Sequence, residues 1–210
     1  VKKFKLFFES NNTLALGLFP GAFKPPHRGH VQTVLNALKN NKIVLVFISS
    51  EEREGITPEK SLLVWNQFKK FLDLKNLEIT LISGSPVTAV YQLVDILNNG
   101  SFSPKHKTLA PLPESKLIAE NLLKQSELFS VTLYASNEDM ARYNAFFNSN
   151  TSKIYIGKRV KSINKGEVKR LASATEVRRS IITDNFDKFK ALMPNIEEDK
   201  LKAIFLGLQS

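Results

Sequence analysis

The chain has 210 residues, 42% of them hydrophobic and 24% charged, which is material for a sizeable core and excludes wholesale disorder. It contains no cysteine, so disulfide frameworks, thiolate metal sites and cysteine nucleophiles are excluded together. Thirty Lys and Arg against twenty Asp and Glu leave a formal net charge of +10, which favours a polyanionic partner: a nucleotide, a nucleic acid or an acidic membrane surface.

The opening Val1-Lys2-Lys3-Phe4-Lys5-Leu6-Phe7-Phe8 is basic and partly apolar, but too short and interrupted for a secretory segment. No run reaches the ~18 apolar residues of a membrane span. A soluble protein is expected, and the lack of cysteine permits a reducing cytoplasm. Leu14-Ala15-Leu16-Gly17-Leu18-Phe19 is a nearly continuous apolar run ending at Pro20-Gly21. A helical period comes next, with Val31, Val34, Leu35 and Leu38 on one face. Ile43-Val44-Leu45-Val46-Phe47-Ile48 is the second run. Thr57-Pro58-Glu59 then starts a helix carrying Leu62, Trp65, Phe68 and Leu72. The third run, Leu77-Glu78-Ile79-Thr80-Leu81-Ile82, leads through Ser83-Gly84-Ser85-Pro86 to a helix with Val87, Val90, Val94 and Leu97, stopped at Asn99-Gly100.

Residues 100–113, with three prolines and two lysines, read as a long surface loop. Leu117, Ile118 and Leu122 mark a fourth helix. Val131-Thr132-Leu133-Tyr134 and Ile154-Tyr155-Ile156 complete five expected strands. From Asp184 onward the pattern is helical and mixed in charge. The boundaries are therefore a main domain over residues 1–183 and a C-terminal helical appendage over 184–210. Alternation of apolar strands with helices predicts an α/β fold, a doubly wound parallel sheet of about five strands covered on both faces. Ligands in such sheets bind at the carboxyl ends of the strands. That directs attention to residues 20–30, 49–55, 83–86, 135–139 and 157–159.

The most informative segment is Gly21-Ala22-Phe23-Lys24-Pro25-Pro26-His27-Arg28-Gly29-His30. Glycines and prolines fix its backbone path, and two histidines three residues apart share one side of a helix's first turn. Free N–H groups there attract anions, Gly29 leaves the backbone approachable, and Lys24 and Arg28 add positive charge. A tight turn with two solvated histidines is the plainer alternative. A zinc pair is short of ligands, since His106 is the only other histidine. The second segment, Ser173-Ala174-Thr175-Glu176-Val177-Arg178-Arg179, opens a late helix, with Thr175 and Arg178 on one side of it. Alone it reads as a helix cap. Together the two segments read as two helix N-termini gripping one polyphosphate.

These two segments resemble the G-x-F-x-P-x-H-x-G-H and I-S-x-T-x-x-R signatures of the nucleotidylyltransferase superfamily, with Ala172 where isoleucine is frequent. The resemblance covers residues 14–182 and implies a Rossmann-like fold and nucleotidyl transfer: a phosphate on the acceptor attacks the α-phosphorus of a nucleoside triphosphate and pyrophosphate leaves. It further implies that His27 and His30 contact the phosphates, that Ser173, Thr175 and Arg178 hold the β- and γ-phosphates, and that Mg²⁺ arrives on the triphosphate without protein ligands. Gly21, Ala22, Phe23 and Gly29 belong to the nucleotide-binding turn, and Lys24 stands where the family varies.

Lys24 and Ala174-Thr175 depart from the cytidylyltransferase branch, and His27 departs from the phosphopantetheine branch. Both segments look closest to the nicotinamide mononucleotide adenylyltransferase branch. ATP and a phosphorylated acceptor such as nicotinamide mononucleotide are therefore the expected partners, with CTP and a phosphorylated alcohol as the alternative. In that branch a tryptophan often lies near the acceptor ring, making Trp65 a candidate, although its apolar neighbours favour core packing. Ser136, Asn137 and Asp139 come after the fourth strand, where the family meets base and ribose; capping a helix is the plainer role for Asn137. Lys158 and Arg159 come after an expected strand end and suit the triphosphate. Ser85 and Arg53 are candidates for the acceptor; Ser85 also suits a helix cap, and Arg53 a solvated charge cluster with Glu51, Glu52 and Glu54.

Two further classes compete. A nucleic-acid binder is motivated by the charge, but the lysines are scattered and there is no zinc finger, aromatic RNA-binding signature or basic helix. A nucleotide sensor without turnover is the other. A class I aminoacyl-tRNA synthetase fragment lacks the lysine-rich second signature. Homo-oligomerisation is left open.

Overall fold

The computed structural model describes residues 13–102, 111–168 and 171–210. The basic opening of residues 1–8, His106 and most of the loop over 100–113 lie outside the described residues. Four of the expected apolar runs form strands: β1 (Thr13–Gly21), β2 (Ile43–Ser49), β3 (Leu77–Ile82) and β4 (Leu128–Tyr134). The fifth strand is β5 (Val160–Gly166), not Ile154-Tyr155-Ile156. That apolar triplet begins on the last residue of a short 3₁₀ turn, Ser152–Ile154, and Tyr155 packs on Phe146 and Tyr91 at 4.8 and 5.4 Å between ring centroids.

Among the described residues the strands form one parallel sheet in the order β3-β2-β1-β4-β5, an α/β Rossmann-like arrangement. Leu16 pairs in register with Ile43 on one side and Val131 on the other, so β1 is central. Successive side chains point to opposite faces, and both faces are buried. Phe19, Val44, Val46 and Ile48 pack under α1 (Arg28–Asn40), α2 (Pro58–Phe71), α7 (Ala174–Ile182), α8 (Phe186–Leu192) and α9 (Glu198–Gln209). Leu16, Leu18, Leu45 and Phe47 pack under α3 (Pro86–Asn99), α4 (Pro113–Gln125) and the short turns α5 (Asn137–Met140) and α6 (Asn144–Phe147).

Local signals set the helix ends. Thr57 accepts from the Lys60 N–H at 3.2 Å with Pro58 behind it, and Gly100 ends α3 with φ 79. Helix α4, marked in the sequence by Leu117, Ile118 and Leu122, buries Ser115, Ala119 and Leu122, whereas Leu117 is 60% exposed. The buried Asn98, near the end of α3, takes over the entry to β5. Its Oδ1 accepts from the backbone N–H groups of Lys158, Arg159 and Val160 at 3.1–3.2 Å. Beyond Asp184, Phe189, Leu201, Ile204 and Phe205 join the same apolar cluster as Trp65 and Phe68. No helix among the described residues is long and apolar enough to cross a membrane.

Candidate active site

Strand β1 delivers the chain at Gly21 into a turn in which Phe23 has φ 52 and the Lys24–Pro25 peptide is cis. The turn places His27 at the N-cap of α1. The His27 Nδ1 accepts from the Gly29 N–H at 3.2 Å, and the His27 N–H donates to His30 Nδ1, also at 3.2 Å. This is a capping box built from two imidazoles. Since each Nδ1 is an acceptor, each ring carries its proton on Nε2, and both rings present Nε2–H as a donor. The rings stack with centroids 3.7 Å apart.

Burial lowers the His27 pKa to about 4, with the Arg28 charge adding to the effect. His30 lies well below its ordinary value, first through burial and then through His27. At neutral pH the pair is therefore uncharged: two hydrogen-bond donors beside the positive end of a helix dipole. A side chain at position 29 would bring its Cβ within 3.2 Å of the His27 ring and 3.3 Å of the Leu171 nitrogen, so glycine keeps this corner open.

The second segment meets the first. Arg178, buried on α7, donates from Nη1 to the carbonyl of Lys24 at 2.7 Å and from Nη2 to Thr175 Oγ1 at 3.2 Å. Ser173 occupies the N-cap of α7, yet its side chain makes no capping bond. Both helix N-termini open on one cleft of about 1060 Å³ at the carboxyl ends of β1, β4 and β5. The strand order reverses between β1 and β4, which is where open α/β sheets bind ligands.

Gly21, Ala22, Phe23, Lys24, His27, Gly29 and His30 line this cleft from β1 and its turn. Ser173, Thr175 and Arg178 line it from α7, Ser136 and Asp139 from the segment after β4, and Arg53 from the loop after β2. Within that set several side chains are engaged. The Lys24 ammonium is turned under the loop and donates to the Ser49 carbonyl at 3.0 Å; burial draws its pKa down to about 8, partly offset by Glu59. Ser136, rather than Asn137, caps α5: its Oγ accepts from the Asp139 N–H at 3.1 Å and donates to Asp139 Oδ2 at 2.9 Å.

Other expected residues lie elsewhere. Lys158 and Arg159 precede β5 and so sit at the amino-terminal end of the strands, away from the cleft and beside the C-terminal end of α3; Lys158 Nζ donates to Asn99 Oδ1 at 3.0 Å. Arg28 turns outward and donates to the carbonyls of Leu171 and Ala191 at 3.0 and 2.9 Å. Trp65 is fully buried, edge-on to Phe23 at 5.5 Å and Phe68 at 6.2 Å, a packing residue beneath the cleft. Ser85 caps α3 through the Val87 N–H at 3.3 Å, at the end of the outer strand β3. Lys165 and Glu167, which belong to neither motif, line the cleft from the end of β5.

A scan against models of known protein families and a search of curated proteins find no match. Solved structures do match. A protein assigned as a nicotinate-nucleotide adenylyltransferase from Vibrio parahaemolyticus aligns over 91% of this chain and 99% of its own, with TM-score 0.52 and 14% identity. A bifunctional NMN adenylyltransferase/ADP-ribose pyrophosphatase from Francisella tularensis, complexed with AMP and a manganese ion, aligns over 94% of this chain with TM-score 0.53 and 15% identity. The present chain spans 52% of that protein. The nicotinic acid mononucleotide adenylyltransferase of Plasmodium falciparum, complexed with APC, aligns over 92% of this chain and 97% of its own, with TM-score 0.50 and 10% identity. The chain shares their fold. At these identities the likeness concerns the path of the backbone.

Proposed function

We propose that the protein is a nucleotidylyltransferase that moves AMP from ATP onto a phosphorylated mononucleotide acceptor, such as nicotinamide mononucleotide, with release of pyrophosphate. The observation that carries this reading is the convergence of two helix N-termini, one presenting a pair of neutral Nε2–H donors and the other Ser173, Thr175 and Arg178, on one cleft at the switch point of the sheet. The adenylyltransferases that share the fold support adenine and a pyridine mononucleotide over other pairs.

In this reading an oxygen of the acceptor's phosphate bonds to the α-phosphorus. The bond from that phosphorus to the bridging oxygen breaks, and its electron pair departs with pyrophosphate. The nucleophile is already an anion, so no side chain has to remove a proton. His27 and His30 donate to the phosphate oxygens on which charge builds, and their low pKa values suit donors that stay neutral throughout. The N–H groups at the start of α7 orient the triphosphate, those of His27 and Gly29 at α1 being taken by the imidazoles, while Arg178 and Lys165 offset its outer charge. A divalent cation held by the triphosphate's own oxygens belongs to this reading. Such a cation, Mg²⁺ in this proposal, would shield the triphosphate's charge. A cytoplasmic location belongs to the same proposal.

The test is pyrophosphate release from each of the four nucleoside triphosphates paired with nicotinamide or nicotinate mononucleotide. Release with ATP and a mononucleotide is expected. Release only with CTP and a phosphorylated alcohol would reassign the branch, and ATP binding without release from any pair would leave a sensor.

A further inference from the structure

The guanidinium of Arg178 is held on two sides of different character. Inward, it rests on the Lys24 carbonyl and Thr175 Oγ1. Outward, Nη2 donates to Glu54 Oε1 at 3.0 Å and Nε lies 2.9 Å from Glu54 Oε2. The carboxylate covers the Nε–Nη2 edge with one hydrogen bond, at Nη2; Nε faces it as an ion pair and donates no hydrogen bond, so the fork that a phosphate takes at two points is half used. The partners are unequal in burial: the Arg178 side chain is 8% exposed and that of Glu54 is 56% exposed. The arginine is fixed and the carboxylate is its outer cover.

Glu54 also sits where it can leave. Arg53 and Ile56 exchange both backbone hydrogen bonds, at 3.1 and 3.0 Å, and Glu54 with Gly55 fills the two-residue turn between them at φ 49 and 77. The turn is anchored by the buried Ile56, so it is the exposed Glu54 side chain that can rotate away while the backbone stays. With the carboxylate gone, Lys24 and Thr175 still hold the guanidinium in place.

We propose that Glu54 is an internal stand-in for the terminal phosphate of a nucleoside triphosphate, occupying the Arg178 fork until the triphosphate displaces it and so lowering triphosphate affinity by the cost of that exchange. This rests on the reading of the cleft as a triphosphate site. A phosphate carries more charge than a carboxylate and wins the exchange. A nucleotide too short to reach Arg178 leaves the pair intact.

Calorimetric titration of MgATP and MgADP into the whole chain and its E54Q variant tests this. E54Q is expected to tighten MgATP by about fivefold, the factor a partly exposed ion pair commands, and to leave MgADP unchanged. Glu54→Asp, one methylene short of spanning to Arg178 but equal in charge, is expected to move MgATP affinity in the same direction by less. It carries the test if E54Q proves unstable in a thermal melt. Were Glu54 there to hold Arg178 in position, both variants would bind MgATP more weakly; that result, or equal affinity, overturns the proposal. Wild type that binds MgATP and releases pyrophosphate, with no gain in either variant, removes the Glu54 assignment alone. Wild type that binds neither nucleotide removes the reading of the cleft as well.

Discussion

Two helix N-termini face the same cleft and are built in opposite ways. At α1 the first turn closes on itself: His27 and His30 satisfy backbone N–H groups within three residues, stack, and lose their charge to burial. At the start of α7 the local side-chain bond runs from Arg178 to Thr175. Ser173 makes no cap bond, and Arg178 depends on a carbonyl 154 residues away and a carboxylate 124 residues away. The first end is a rigid pair of donors, complete in ten residues of sequence. The second is an adjustable anion clamp that exists only once the sheet has brought three segments together.

Replacing His30 by alanine strikes the rigid end hardest. It removes one positioned Nε2–H donor and the acceptor for the His27 N–H. Pyrophosphate release is expected to fall about 10²–10³-fold in kcat, with helix content by circular dichroism unchanged. A loss below about tenfold would mean that the stacked pair is a capping device and that transition-state stabilisation comes from α7.

Acid should separate the two ends next. The His27 pKa is about 4 in the folded chain against an unfolded value near 6.5, so the unfolded chain takes up the proton first as pH falls. The stability this neutral ring contributes is present above pH ~6.5 and is lost as pH drops toward 4, amounting to about 3 kcal/mol, with His30 acting in the same direction. Urea unfolding at about pH 7.5 and pH 4.5 measures it, and His27→Gln should flatten the slope. The α7 terminus carries no histidine; its acid-sensitive partner is Glu54, which the Arg178 hydrogen bond holds below the ordinary glutamate range, so it adds only as pH falls to about 4.3 and below. An unchanged slope in the variant would place the acid sensitivity outside His27.

How much of this could be read from the chain obeys the same division. The histidine turn, the apolar runs of β1 to β4, the caps at Thr57 and Ser85 and the stop at Gly100 are local, and each lies where composition and spacing put it. Strand β5 is an edge strand reading Val-Lys-Ser-Ile-Asn-Lys-Gly, too polar to compete with Ile154-Tyr155-Ile156 for recognition. It is recruited by Asn98, sixty-odd residues earlier, whose carbonyl oxygen gathers three backbone N–H groups. Shifting the strand carried Lys158 and Arg159 to the amino-terminal end of the sheet and brought Lys165 and Glu167 to the cleft. One local signal pointed there: Gly166, where a Cβ would stand 2.3 Å from the Tyr134 ring, is a glycine that the fold requires. The Glu54–Arg178 pair has no local signal at all, because its partners meet only through the cleft.

The smallest expected effect sharpens the contrast most finely. Thr57 caps α2 through a 3.2 Å bond to the Lys60 N–H, so Thr57→Ala should cost about 1 kcal/mol of stability. Ser173 holds the corresponding place on α7 and makes no such bond, so Ser173→Ala should change stability by less than about 0.5 kcal/mol. If its hydroxyl is kept free for a phosphate oxygen, the cost appears instead in binding: KM for the triphosphate should rise about three- to tenfold with kcat nearly unchanged. Thermal melts and steady-state rates on the same preparation separate the two. A lowered melting temperature with an unaltered KM would make α7 a helix capped like α2, and the difference between a closed and an open terminus would vanish.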